Sequence, residues 1–311
     1  MEKYKYLIVI FILFAVCAGC RPGAVKNEAA LQDSVPFIYI ERLIGHALDM
    51  AKTNAAESAV LPPYLEAMLA DGKITIGLGI GTDDLGRIRV PQDRQHWLWQ
   101  DTFELFGQIV LIEGRLLLTR ENFRSALSEC EIIYLTSHSR FGAGPVFLKD
   151  GKAKPFLMQQ TAGYEIVMPG PEVSGYDGTV IRRYPGPLKK QEYVVFAPDS
   201  TDLDSITPLA GYQLLVLSTC TSRRHFFDEI QTLRKGLPTT AVFTTRTCCM
   251  DPLMRPFLRM LYEIFAGSSI TGVVAGMNES YRDVSWEYVT KGVHPWQVLN
   301  TLYAVGIHRV M

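Results

Sequence analysis

The hydrophobic pattern of this chain switches repeatedly between helical and extended spacing. Residues 36–70 hold FIYIERLIGHALDMA and LPPYLEAMLADG, with apolar positions three and four apart and a closing Gly72, and they predict two helices. KITIGLGIGT, at 73–82, predicts a strand. A further strand is predicted within QHWLWQDTFELFGQIVLIEG (95–114), with Trp97 and Trp99 in the core. Thr119 is a suitable N-cap for a helix whose Phe123, Leu127 and Cys130 share one face. That helix runs into a strand at Ile132–Thr136, apolar throughout, as strands buried on both faces are. A Gly- and Pro-rich stretch at 150–191 interrupts the rhythm and reads as an inserted loop or small β excursion. Strands are then predicted at 194–198, 214–219, 240–245 and 270–276, and helices at 222–236, 251–267 and 295–304. The alternation predicts an α/β fold with a mainly parallel central sheet and helices on both faces. No repeat or second boundary is visible, so residues 36–311 form a single domain that contains the 150–191 insert.

The first twenty residues differ. Lys3 and Lys5 precede the apolar run YLIVIFILFAV, which is too short to span a bilayer and ends on Cys17-Ala18-Gly19-Cys20. This predicts a secretory signal; an uncleaved signal anchor is the alternative. The Ala-Gly-Cys ending resembles the lipobox of bacterial lipoproteins, although Cys17 stands where that family usually has Leu. The resemblance implies that residues 1–20 are a lipoprotein signal peptide and that Cys20 is acylated as the mature N-terminus. Residues 21–35 would be a tether, and the membrane would be a partner through the N-terminal lipid. Arg21 in place of Asp implies, by the same resemblance, an outer-membrane location facing the periplasm.

Composition narrows the choice. The 311 residues are 48% hydrophobic and 20% charged, enough for a substantial core, and the formal net charge is −1. No Lys/Arg-rich block occurs, which argues against a nucleic-acid partner. Besides Cys17 and Cys20, the cysteines are Cys130, Cys220, Cys248 and Cys249, too few and too scattered for a disulfide framework. Neither HExxH nor paired metal-ligand spacing appears, and Gly77, Gly79 and Gly81 lack the dinucleotide fingerprint, so no cofactor is called for. Those glycines instead suggest a tight strand end.

Two β runs stop on a reactive side chain: IIYLTSHS on His138 and LLVLSTC on Cys220. In open α/β sheets, functional groups sit beyond the carboxyl ends of parallel strands. If the two strands are parallel neighbours, His138 and Cys220 emerge at one edge. A free thiol is only a few per cent thiolate at neutral pH, so an imidazole nearby would activate it and protonate the leaving amine. A helix beginning near Ser222 would favour thiolate and oxyanion alike, with the N–H groups of Cys220 and Ser139 as candidate oxyanion donors. Asn278, after the last predicted strand, is a candidate to line the same cleft. His225, Cys130, Cys248 and Cys249 are assigned to packing.

The two blocks together resemble the caspase-like cysteine peptidases: caspases, legumains, gingipains, separases and the bacterial CHAT-type proteases. There, a hydrophobic block ending in His-Gly precedes one ending in Ala-Cys. The order agrees, and the Gly/Pro-rich insert accounts for a spacer longer than the roughly 50 residues of caspases. The resemblance implies a caspase-like three-layer sandwich. It also implies a cysteine-type endopeptidase that hydrolyses protein or peptide substrates through an acyl-enzyme, with Cys220 as nucleophile and His138 as general acid/base. Ser139 replaces the family's Gly and Thr219 its Ala. Gly admits backbone conformations that Ser adopts less easily. The alternatives are a catalytically inactive caspase-like lipoprotein acting as a binding module, and a structural lipoprotein of unrelated α/β fold. For specificity, Asp177, Asp199, Asp202 and Asp204 could select basic side chains, and Arg182, Arg183 or Arg223 acidic ones; plain surface charge is the simpler assignment.

Overall fold

The computed structural model describes residues 35–55, 61–82, 85, 88–90, 98–139, 144–149, 152–159, 173–174, 180–181, 200–219, 222–244, 251, 253–290 and 305–310. The predicted signal peptide with Cys20, nearly all of the tether, the strand at 194–198, the helix at 295–304, and Cys220, Cys248 and Cys249 lie outside these residues.

The described chain starts with β1 (Val35–Pro36), α1 (Phe37–Ala55) and α2 (Pro63–Met68). β2 (Lys73–Ile80), β3 (Ile88–Arg89), β4 (Leu98–Leu105) and β5 (Gln108–Leu117) follow. Next are α3 (Arg120–Glu129) and β6 (Ile132–Ser137). Two short antiparallel pairs, β7 (Val146–Lys149) with β8 (Lys152–Pro155) and β9 (Val173–Ser174) with β10 (Val180–Ile181), fall in or beside the Gly/Pro-rich insert. The chain continues with β11 (Gln213–Thr219), α4 (Ser222–Leu233), β12 (Thr239–Thr244), α5 (Arg255–Phe265), α6 (Ile270–Thr290) and β13 (Val305–Val310).

The result is a mixed α/β fold around a seven-stranded sheet of order β13-β12-β11-β6-β2-β5-β4. The five inner strands run parallel; β4 and β13 close the edges antiparallel. Alternate side chains of the inner strands enter two separate cores, as the two-residue period of a strand requires. Ile132, Tyr134, Leu214, Val216 and Val242 pack with α1, α2, α5 and α6. Ile133, Leu135, Leu215, Leu217 and Phe243 pack with α3 and α4 on the opposite face. Each fully buried Leu or Ile contributes roughly 2 kcal/mol of transfer free energy.

Two stretches expected as single strands take another form, and the edge strand β13 has no counterpart in the sequence expectation. Residues 95–114 hold not one strand but most of a β4–β5 hairpin, with Leu105 opposite Gln108. The two-residue turn between them places Phe106 at φ 52° and Gly107 at φ 75°, the positive pair that a right-twisted hairpin favours. The second correction is ITGVVAG, which is helical: it opens α6. A short apolar run does not distinguish a buried strand from a buried helix. Here Val273, Val274, Met277 and Tyr281 fall at helical spacing and are all buried. At Gly276 a Cβ would lie 2.9 Å from atoms of Arg259 and Glu263, so the glycine lets α6 approach α5 closely.

The glycines of β2 serve the neighbouring strands rather than the strand end alone. A Cβ at Gly77 would lie 2.8 Å from Leu117 Cδ1, and one at Gly79 would lie 2.9 Å from Leu135 Cδ1. Leucines of β5 and β6 occupy the space that β2 leaves empty.

The amino edge of the sheet is held by Arg234, which is fully buried. Its guanidinium donates to Thr239 Oγ1 at 2.6 Å, Gly211 O at 3.0 Å, Pro238 O at 3.1 Å and to Leu209 O. Burial lowers its pKa to about 10, still far above neutrality.

Candidate functional site

β6 and β11 are neighbours, parallel and matched over six rungs, from Leu214 opposite Ile132 to Thr219 opposite Ser137. The next residues in sequence are Cys220 and His138. His138 is exposed, whereas Ser139 and Thr219 are buried. The Cys220 end of the expected pair lies outside the described residues, but both of its flanks, Thr219 and Ser222, are described.

The His138 side is built by close backbone contact. The Ser137 hydroxyl donates to His138 O at 3.3 Å. A Cβ at Gly144 would lie 2.7 Å from His138 O and 3.0 Å from Ser139 O, so only a glycine passes this close to the segment. Gly81, whose N–H donates to Thr136 O, leaves the space that Ser137 fills from the other side.

The Cys220 side is built by hydroxyls. Ser222, the first residue of α4, and Thr244, the last residue of β12, are both buried. Thr244 N–H donates to Ser222 Oγ at 2.9 Å, and Ser222 N–H donates to Thr244 Oγ1 at 3.2 Å. Each hydroxyl spends its own proton on β11: Ser222 Oγ donates to Leu217 O at 2.7 Å, and Thr244 Oγ1 to Thr219 O. On the other face Tyr281 OH pairs with Ser218 Oγ and lies 3.3 Å from Tyr134 OH, linking α6 to β11 and β6.

Other candidates resolve differently. Asn278 does not follow a strand; it lies within α6, one turn before Tyr281, and its Oδ1 is buried with no hydrogen-bond partner among the described residues. Cys130 is buried, and burial pushes its thiol up to about 12, which makes it inert, as its packing role requires. His225 is buried on α4 and packs beside Phe226; desolvation, then the neighbouring Arg224 charge, lowers its pKa to about 4. Asp202 pairs with Arg120 Nη2 at 2.6 and 2.8 Å and accepts Leu157 N–H, and Asp204 accepts Thr201 N–H at 3.0 Å. Both carboxylates thus hold the 200–206 loop. Arg223 is exposed on the first turn of α4, whereas Asp177, Asp199, Arg182 and Arg183 lie outside the described residues. Trp99 packs 6.0 Å from Phe103; Trp97 lies outside the described residues.

A cleft of about 430 Å³ lies along the second half of α4, lined by residues that include Asp204, Asp228, Glu229, Ile206 and Leu233. α4 runs from the carboxyl edge of β11 back toward the start of β12, so this cleft is at the other end of the sheet from His138. Among the described residues no cluster of three or more His, Cys, Asp or Glu is placed to hold a metal ion, and no helix is long and apolar enough to cross a membrane.

Sequence reasoning missed Thr244 and Tyr281, whereas the SRFGAGP stretch that holds Gly144 already offered glycines in place of the one that Ser139 replaces. Thr244 closes the β run TAVFT as Ser137 and Thr219 close theirs, and that shared hydroxyl ending was the available signal. Tyr281 was hidden because its helix reads as a strand. No protein-family model, no curated protein and no solved structure matches the chain.

Proposed function

We propose that this protein is an exported, lipid-anchored cysteine-type endopeptidase of the caspase-like kind, with Cys220 as nucleophile and His138 as general acid/base. The observation that carries the reading is the six-rung parallel ladder between β6 and β11. It ends both strands on the same rung, Thr219 opposite Ser137, and the next residues in sequence are Cys220 and His138. In this reading the exposed imidazole of His138 serves the thiol of Cys220, two residues before α4 in sequence: the imidazole takes the thiol proton, the thiolate attacks the peptide carbonyl, and the imidazolium returns the proton to the leaving amine as the C–N bond breaks. Water then releases the acyl group by the same route in reverse. The positive end of α4 favours the thiolate.

The test is labelling of the full chain with a thiol-directed probe, alongside digestion of denatured casein. Labelling and digestion that vanish in Cys220→Ala, and fall steeply in His138→Ala, support the peptidase. Equal labelling at Cys248 or Cys249 overturns it. Globomycin-sensitive processing of the precursor tests acylation of Cys20 and the envelope location.

A second reading is a catalytically inactive relative of the same fold that binds a peptide or protein partner. It is favoured by Thr219, whose buried Oγ1 has no hydrogen-bond partner among the described residues where the family carries Ala. A folded chain that binds peptide but neither labels at Cys220 nor digests casein would establish it.

A further inference from the structure

We infer that Thr244, acting with Ser222, is a positioning residue for the Cys220 thiol. The inference rests on the peptidase reading above and adds to it a residue on a third strand.

Only Cys220 and Thr221 separate Thr219 from Ser222. The residues on either side of those two are gripped by the same side chain, since Thr244 Oγ1 donates to Thr219 O and accepts from Ser222 N–H. Ser222 Oγ returns the grip by accepting Thr244 N–H and donating to Leu217 O. Every proton is assigned: each hydroxyl has one to give and one N–H to receive. The two side chains are 0% and 2% exposed for Ser222 and Thr244, so bulk water does not replace a lost contact.

The grip comes from β12, outside both elements that it ties together, the end of β11 and the start of α4. It therefore sets the positive end of α4 against the end of β11, the two fixed points between which Cys220 and Thr221 run in sequence, and a small displacement of a reacting group is costly in rate. Thr244 acts through those flanking residues, Thr219 and Ser222.

The test uses the full-length protein with Thr244→Val, which keeps shape and removes the hydroxyl, and Thr244→Ser, which keeps the hydroxyl. Iodoacetamide alkylation of Cys220 is followed by peptide mass mapping across pH. In the wild type the midpoint should lie below the ~8.5 of an ordinary thiol. Thr244→Val should move it up to that value and slow alkylation at neutral pH about tenfold, with Thr244→Ser restoring the wild-type profile. A wild-type thiol that titrates as an ordinary cysteine overturns the peptidase reading and the positioning role together. An activated wild-type thiol whose profile is unchanged in Thr244→Val overturns the positioning role alone. Should Thr244→Val not fold, Ser222→Ala replaces it: an unchanged profile there is equally fatal, and a raised midpoint supports the role.

Discussion

Thr219 of β11 lies directly opposite Ser137 of β6 on the last rung of their shared parallel ladder. Both are buried, and both are followed immediately by the residue on which the proposed chemistry depends. The sheet thus fixes the relative position of two segments that are remote in sequence, and it does so with main-chain hydrogen bonds rather than with loops.

Gly144→Ala should mimic His138→Ala in the labelling assay. The added methyl would lie 2.7 Å from His138 O, and the obstacle is main chain, which cannot rotate away. Displacing that segment should slow Cys220 labelling by roughly tenfold to a hundredfold, with the thermal midpoint lowered by only a few degrees. Wild-type labelling in Gly144→Ala would show that the segment tolerates the shift.

Gly81→Ala should be rescued by Ser137→Gly. A Cβ at Gly81 would fall 2.2 Å from Ser137 Oγ and 2.6 Å from Ser137 Cβ. Overpacking of this kind costs about 1–3 kcal/mol. The double variant should be more stable than the sum of the single effects by about 1 kcal/mol in urea unfolding, because the clash exists only when both side chains are present. Strict additivity would refute the contact.

Arg234→Met should lower stability by about 3 kcal/mol, since it removes the donor to Leu209 O, Gly211 O and the Thr239 hydroxyl and leaves Pro238 O with Gln213 N–H alone. Arg234→Lys should recover less than half of the loss, because an ammonium lacks the fork that reaches several acceptors. The labelling rate per folded molecule should not change in either variant. Guanidinium titration of each variant checks the first two statements.

Acid should destabilise the protein partly through His225. Its folded pKa of about 4 lies below the ordinary 6.5, so between these values the unfolded chain binds the extra proton. Its contribution is complete above pH 6.5 and is lost as pH falls toward 4; by pH 5 about 2 kcal/mol should be gone. His225→Gln should flatten this part of the urea midpoint against pH. An unaltered slope would place the acid sensitivity elsewhere.

Much of the inner sheet was legible because its strands, buried on both faces, are continuous apolar runs. IIYLTS and LLVLST could hardly be anything else, and both end on the carboxyl edge of the parallel sheet. The β4–β5 hairpin was harder to see, because its turn is Phe106-Gly107 rather than the Asn-Gly or Asp-Gly that marks such turns. The start of α6 was illegible for another reason: ITGVVA has strand-like composition, and only burial against α5 makes it helical. Thr244 was unreadable as a partner of Ser222 because the grip joins two elements through tertiary contact, with no local pattern to report it.

The β6–β11 ladder spans a long stretch of intervening chain. The entropy of closing a loop grows only with the logarithm of its length, so doubling that stretch would cost only about 0.6 kcal/mol. Insertions and deletions there are thermodynamically cheap, whereas a one-residue slip between the two strands would turn every side chain of one of them to the wrong face. Among proteins built this way, the number of residues between the imidazole and the sulfur should drift freely, while the rung on which the two strands end stays put.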